Sequence, residues 1–367
     1  MEHAFGEAPA YTIGIEEELM IVDAESLALV NAIESLLEDS GPGDVKPELM
    51  ESVLEIATPP CANATEAGEA LRRLRGQVRE AAVERGLRIG SAGTHPFARW
   101  EDQRIVARER YRELVSALRF VARQELIFGM HVHVAVDDPD KAIHIADGMR
   151  LHLAALLALS ANSPFWRGDE TGLRSARTPI FRAFPRVGVP PRYGDWAGYE
   201  REIGFMVDAG VMEDYTWLWY DVRPHPNFGT VEVRVCDSQT RVEHTLGLAA
   251  LIQALVRELG ESFDAGTSLD RSPWQMLDEN KWLAARHGLD GELVDLPSRE
   301  RVATKTLVRR MLDRLADHAR DLGSAAELEA VEDLLERGNG AARQLVVFEA
   351  NSDLREVMTE IVQATGA

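Results

Sequence analysis

Cysteine is nearly absent from this sequence of 367 residues, in which Cys61 and Cys236 are the only two and lie far apart. Two distant thiols do not make the framework of a disulfide-stabilised protein, and a cysteine metal site would need further ligands. We therefore expect no disulfide, a reducing location in the cytoplasm, and chemistry that does not depend on thiols.

Other absences narrow the class of function. No apolar run is long enough to span a bilayer, and the first ten residues lack the basic and apolar regions of a secretory signal, so we expect no membrane partner. Basic residues are outnumbered, 40 against 61 acidic ones, and the net charge of -21 argues against a nucleic-acid partner. No glycine-rich phosphate loop follows a strand.

What is present is the composition of an ordinary globular protein, with 45% hydrophobic and 28% charged residues. Strand-like segments near 13–22, 52–58, 87–91, 130–136 and 230–235 are interspersed with helical patterns at 67–82, 105–125, 142–160 and 242–259. Residues 161–198 are rich in proline, glycine and arginine and are expected to form irregular loops. We predict one α+β domain over residues 1–367, with a curved, mostly antiparallel sheet and a helical portion from about 299.

Polar side chains recur on one face of three predicted strands. Side chains alternate between the faces of a strand, so Glu16 and Glu18 share a face while Glu17 points with the apolar set. His131 and His133 share a face in the same way. Glu232 and Arg234 repeat the pattern in Val-Glu-Val-Arg-Val. Such strands predict a sheet with one polar face that serves as the floor of a reaction site.

Carboxylates side by side on an apolar strand repel each other, and a hard cation between them would offset that repulsion. Oxygen ligands with an occasional imidazole suit Mg²⁺ or Mn²⁺ better than zinc. The candidate ligands are Glu16, Glu18, Glu48, Glu55, His131 and Glu232. The His-x-His strand also opens the metal site of amidohydrolase barrels, but that alternative needs further histidines in the middle of later strands, and we find none.

Arginines are the candidates for holding phosphate, because the planar guanidinium group grips its oxygens in pairs. Arg167 and Arg177 lie in the irregular region, and Arg223 and Arg234 lie in or beside strands. A single arginine is usually a solvated surface residue. Arg234 is the strongest candidate, since it shares the predicted polar face with Glu232.

Several segments of this sequence resemble the carboxylate–amine ligase family, also called glutamate–cysteine ligase type 2. The segments are Ile-Gly-Ile-Glu-Glu-Glu-Leu at 13–19, Glu-Ser-Val-Leu-Glu-Ile-Ala-Thr at 51–58, Gly-Thr-His-Pro-Phe at 93–97, Gly-Met-His-Val-His-Val at 129–134, Leu-Ser-Ala-Asn-Ser-Pro-Phe at 159–165, and the run from 221 to 235. They occur in family order between about 12 and 291. One departure is Ala135, where the family often has glycine.

The resemblance implies a glutamine-synthetase-like fold, in which the curved sheet forms a funnel with helices on its outer face. It implies ATP, Mg²⁺ or Mn²⁺, a carboxylate activated as an acyl phosphate, an amine as second substrate, and a homodimer or other homo-oligomer. The six candidate metal ligands match the family's acidic segments and metal-proximal histidine. Arg234 and Arg177 are then expected in catalysis, and Arg223, Arg167 and Arg234 in nucleotide binding. Glutamate and cysteine are the nearest substrates; another acid and amine, or a silent nucleotide-binding homologue, stay open.

Overall fold

A sheet of seven strands lies at the centre of the computed structural model, which describes residues 1–37 and 45–366. The strands in chain order are β1 (Ile13–Asp23), β2 (Val45–Pro47), β3 (Val53–Ala57), β4 (Leu87–Gly90), β5 (Met130–Ala135), β6 (Phe165–Trp166), β7 (Asp169–Glu170), β8 (Val187–Gly188), β9 (Trp219–Tyr220), β10 (Val222–His225), β11 (Thr230–Val233), β12 (Glu292–Asp295) and β13 (Glu300–Ala303). The large sheet has the order β10-β11-β5-β1-β3-β2, with β4 beside β1, and its pairs are antiparallel.

Some helices pack on this sheet, and others pack on those helices. The helices are α1 (Ile33–Leu37), α2 (Ala64–Glu84), α3 (Glu109–Leu118), α4 (Phe120–Arg123), α5 (Pro139–Met149), α6 (Leu153–Ser160), α7 (Arg177–Phe181), α8 (Trp196–Asp208), α9 (Val242–Asp264), α10 (Trp274–His287), α11 (Thr304–Asp321), α12 (Ala325–Arg337), α13 (Gly340–Asn351) and α14 (Leu354–Thr365). The long helices α2 and α9 pack against each other and against the central strands.

One face of the sheet is apolar and meets α2 and α9. Ile13, Ile15, Leu19 and Ile21 of β1 are fully buried there, as the alternation of side chains along a strand predicts. Glu17 lies among them with no exposed surface, because Arg75 of α2 donates two hydrogen bonds of 2.8 Å to its carboxylate. The prediction that Glu17 is a structural residue is therefore confirmed.

The opposite face is divided into two regions. Met20 and Val22 of β1 are covered by a second apolar cluster that includes Met358 and Ile361 of α14. Toward the other end of β1, the positions of Glu16 and Glu18 stay free of this apolar cover and face a cavity. The polar face predicted from the sequence thus exists, and the second cluster confines it to one end of the strand.

Three predicted helices differ from the observed ones. The pattern at 105–125 contains only α3 and α4, because Arg119 between them has a φ of 53°, outside the helical region. The pattern at 142–160 divides into α5 and α6, which are bent by 63° at the break formed by Arg150, Leu151 and His152. The portion predicted as helical from 299 begins with strand β13 and becomes helical at Thr304.

Within the described residues, no single helix is long and apolar enough to cross a membrane. The bent pair α5 and α6 passes that test only when the two helices are taken together.

Candidate active site

The strand register brings the predicted site residues together on the polar face. Glu16 lies directly opposite His131 of β5, and His133 of β5 lies opposite Glu232 of β11. On the other side of β1, Glu18 lies opposite Glu55 of β3. Four strands therefore contribute to one continuous floor, although their residues are up to about two hundred positions apart in the chain.

Glu16, His131 and Glu232 form the first of two groups on this floor, with one ligand atom of each lying within 4.8 Å of the others. The Nδ1 atom of His131 is 3.2 Å from the Oε2 atom of Glu16. Burial opposes ionisation of Glu16 and Glu232, but the imidazoles of His131 and His133 lower the pKa of Glu16. Two guanidinium groups hold the pKa of Glu232 well below its usual range. Both carboxylates are therefore ionised at neutral pH.

Glu18, Glu48 and Glu55 form the second group, again with ligand atoms within 4.8 Å of one another. Burial and the neighbouring carboxylates Glu55 and Glu18 raise the pKa of Glu48 well above its usual range. Burial and the charge of Glu16 raise the pKa of Glu55 to about 7. The Nζ atom of Lys46 lies 3.3 Å from Glu55 and opposes that rise. The positive charges of the protein beside this group compensate only part of its negative charge.

Two predicted arginines hold Glu232. The Nε atom of Arg223 donates a 2.6 Å hydrogen bond to Glu232, and its Nη1 atom donates to the carbonyl oxygens of Thr216 and Leu218. Arg223 is therefore largely engaged by the protein itself. Arg234 also contacts Glu232, but its Nε atom is buried without a hydrogen-bond partner among the described residues.

Arg177 reaches the floor from outside the sheet. It begins α7, is 5% exposed, and lines a small side chamber of about 30 Å³ together with Glu18, Glu125 and Arg234. The two predicted catalytic arginines thus face the same chamber. The two side chains come from separate segments of the chain, so no sequence motif with a fixed spacing contains both of them.

Arg167 is the one predicted site residue that the structure leaves away from the floor. Its side chain is partly exposed and forms a 2.8 Å ion pair with Glu101. It lines neither the main cavity nor the side chamber. The geometry gives no support to a role for Arg167 in nucleotide binding.

The main cavity above the floor has a volume of about 290 Å³ and is enclosed partly by residues that the sequence analysis missed. These are Lys46, Arg110, Tyr111, Leu114, Glu125, Thr216, Trp217, Trp219, His225 and Phe228. His225 is the last residue of β10, so it does not contradict the expectation that no further histidine lies in the middle of a strand. Burial and the charge of Glu18 raise the pKa of Glu125 to about 8. One feature of the sequence could have identified Glu125 as a site residue: it is an acidic residue directly before the apolar run Leu-Ile-Phe.

Comparisons with known proteins agree with this geometry. The sequence profile of glutamate-cysteine ligase family 2 matches residues 12–364. A Rubrobacter xylanophilus protein provisionally named glutamate–cysteine ligase 2-1 is 44% identical over 97% of this chain and 95% of its own length. A provisionally named glutamate–cysteine ligase 2 of Solibacter usitatus is 40% identical over 97% of this chain and 94% of its own length.

Two solved structures share the fold. Glutamate–cysteine ligase of Francisella tularensis, in complex with AMP, has a TM-score of 0.73 at 14% identity and covers 96% of this chain and 88% of its own. A bifunctional glutathione synthetase of Pasteurella multocida has a TM-score of 0.68 at 15% identity, over 96% of this chain and 52% of its own. The predicted α+β fold of the glutamine-synthetase-like kind is confirmed.

Proposed function

Because the chain belongs to glutamate–cysteine ligase family 2, we propose that this ATP-dependent carboxylate–amine ligase activates the γ-carboxylate of glutamate as an acyl phosphate. The amine of cysteine then displaces the phosphate and forms the amide bond. The observation that carries the proposal is the strand register, which assembles Glu16, His131 and Glu232 beside a second acidic group on one floor. A sheet face with this many buried and half-buried carboxylates has no evident structural use.

The residues of the floor fit two divalent cations. The first group offers two carboxylates and an imidazole, and the second offers three carboxylates, which are donor sets suited to Mg²⁺ or Mn²⁺. The raised pKa values of Glu48 and Glu55 reflect buried negative charge that Lys46 balances only in part. Cations bound there would reduce the repulsion between the substrate carboxylate and the γ-phosphate of ATP, both of which are anionic.

The chain's own residues supply the remaining electrostatic stabilisation. Arg234 and Arg177 face the same chamber, and each has a buried Nε atom without a hydrogen-bond partner among the described residues. Phosphoryl oxygens placed there would accept these hydrogen bonds as charge develops on them in the transition state. Arg223 holds the carboxylate of Glu232 through a 2.6 Å hydrogen bond, so its role is to orient that ligand.

Isotope transfer tests the reaction class. Glutamate labelled with oxygen-18 in its γ-carboxylate, incubated with ATP, Mg²⁺ and cysteine, should give ADP and phosphate that carries one labelled oxygen. Label in AMP, together with release of pyrophosphate, would show that the carboxylate is activated by adenylation and not as an acyl phosphate. In parallel, products formed from a panel of other acids and amines are identified by mass. If another pair reacts faster than glutamate and cysteine, that pair would replace them as the proposed substrates. Glu232→Gln serves as the inactive control.

A further inference from the structure

The guanidinium group of Arg177 sits in a niche made largely of backbone. Its Nη1 and Nη2 atoms donate hydrogen bonds of 3.3 and 3.2 Å to the carbonyl oxygens of Val235 and Arg234. On its other side lies Gly129, where a Cβ atom would come within 3.0 Å of the Cζ atom of Arg177 and closer to Nη2. The backbone carbonyls and Gly129 limit the position of the guanidinium group, but they carry no negative charge that would pair with it.

Among the residues that the structure describes, the carboxylate nearest to this guanidinium group is that of Asp237, at 3.9 Å from Nη1. Asp237 has no exposed surface and accepts three hydrogen bonds from the segment that leads into α7. They come from the backbone N–H of Asn162 at 2.8 Å, the hydroxyl of Ser163 at 2.6 Å and the hydroxyl of Ser175 at 2.9 Å. A buried carboxylate is costly unless it is satisfied in this way.

One of these serines links Asp237 directly to Arg177. The Oγ atom of Ser163 donates to Asp237 and accepts a hydrogen bond of 3.2 Å from the backbone N–H of Arg177. Asp237 therefore fixes the backbone where α7 begins and also places a negative charge beside the guanidinium group. Gly93 allows this packing, since a Cβ atom there would lie 2.6 Å from the Cγ atom of Asp237.

We infer that Asp237 is a positioning residue for the ligase reaction, which holds the guanidinium group of Arg177 against Gly129 so that it faces the side chamber. The inference rests on the proposed role of Arg177 at the transferring phosphoryl group. Asp237 does not line the cavity and so does not touch substrate. Its effect on the reaction passes through Arg177 alone.

The test is chemical rescue of an Arg177 variant by free guanidinium ion, because the ion can replace the missing side chain only if the niche of Arg177 is intact. Arg177→Ala should lower kcat about 100-fold or more, as loss of a transition-state donor does, and added guanidinium ion should restore part of that loss. In the double variant with Asp237→Asn the same ion should restore nothing. Asp237→Asn alone should lower kcat while leaving the KM for ATP unchanged.

Two further variants control for a change in stability. Asp147 is also buried, and its carboxylate accepts hydrogen bonds from the backbone N–H groups of Tyr193 and Gly194, away from the floor. Asp147→Asn combined with Arg177→Ala should retain rescue. If Asp237→Asn does not fold, Ser163→Ala takes its place, because it removes the hydroxyl that links Asp237 to the Arg177 backbone; it should also suppress rescue.

The outcomes separate the two claims. Rescue that is equally strong with and without Asp237→Asn, or with and without Ser163→Ala, would overturn the positioning inference and leave the proposed function intact. Full activity of Arg177→Ala would remove Arg177 from the proposed mechanism and overturn the inference with it. Loss of oxygen-18 transfer in the wild-type enzyme would overturn the proposed function itself.

Discussion

Adjacent glutamates on β1 should respond to the same substitution in opposite ways. Glu17→Gln and Glu18→Gln each remove one negative charge without changing side-chain shape. Glu17 faces the apolar layer and pairs with Arg75, whereas Glu18 faces the floor and lies opposite Glu55. We expect Glu17→Gln to destabilise the protein and to spare the chemistry, and Glu18→Gln to do the reverse.

The size of the first effect follows from burial. Glu17 has no exposed surface, and it accepts hydrogen bonds from Nε and Nη2 of Arg75 at 2.8 Å and from the hydroxyl of Thr245 at 2.6 Å. Arg75 is 6% exposed and would be left as a buried charge without its carboxylate. Breaking such a pair costs about 3 to 5 kcal/mol. Glutamine keeps one oxygen acceptor, so we expect about 3 kcal/mol.

The second effect comes from repulsion. Glu18 lies opposite Glu55 in the sheet, and its ligand atom lies within 4.8 Å of those of Glu48 and Glu55. Relieving one like-charged cross-strand pair is worth roughly 0.2 to 1 kcal/mol. In buffer with EDTA, Glu18→Gln should therefore raise the free energy of unfolding slightly. Ligation activity should be lost, because a neutral amide is a poor replacement for a carboxylate ligand to Mg²⁺.

Urea denaturation with and without Mg²⁺ measures both effects. Wild type and Glu17→Gln should gain stability from Mg²⁺, because a ligand that binds only the folded state stabilises it. Glu18→Gln should gain much less. Equal destabilisation by both substitutions in EDTA would refute the assignment of the two faces. Full ligation activity in Glu18→Gln would refute its role at the cation.

Three further predictions use other parts of the structure. Arg234→Lys should lower kcat more than it weakens ATP binding, because a point charge cannot replace the planar fork; a change confined to KM would contradict this. Glu232→Gln should abolish ligation, as product mass would show. Buried His95 accepts backbone hydrogen bonds at Nδ1, and burial lowers its pKa from 6.5 to about 4. The unfolded chain therefore binds more protons at His95 between these values, so the contribution of His95 to stability should fall by about 3 kcal/mol as the pH drops from 6.5 to 4. His95→Gln should remove this contribution, which is measured as the difference in stability between variant and wild type in urea titrations at several pH values.

Alternation along single strands was enough to predict which face of the sheet carries the site. Glu16, Glu18, His131 and Glu232 all lie where a period of two places them, because each strand is apolar on its other face. What alternation cannot supply is the register between strands. The opposition of Glu18 and Glu55 depends on how β1 and β3 are aligned, and no local pattern specifies it.

The residues that the sequence analysis missed or misplaced come from loops, short helices and short strands. Glu125 follows α4, whose boundary depends on the backbone conformation of Arg119. Arg167 and Arg177 lie ten residues apart in one irregular region, yet only Arg177 reaches the floor, because Asp237 and its serine partners hold that part of the segment. Tertiary contacts of this kind leave no periodic signal in the sequence.

The two acidic groups differ in how their charge is balanced, and this difference bears on how they would work. Two arginines keep Glu232 ionised, and nearby imidazoles do the same for Glu16, so the first group has its negative charge ready for a cation. Beside the second group, Lys46 compensates part of the charge of Glu55, and the pKa values of the crowded carboxylates Glu48 and Glu55 are raised. A cation bound there would have to displace protons, so the stabilisation that it gives should increase more steeply with pH than at the first group. Stabilisation by Mg²⁺ should accordingly increase more steeply with pH around 7 in Glu16→Gln, which keeps the second group, than in Glu55→Gln, and the reverse order in urea titrations would contradict this account of the floor.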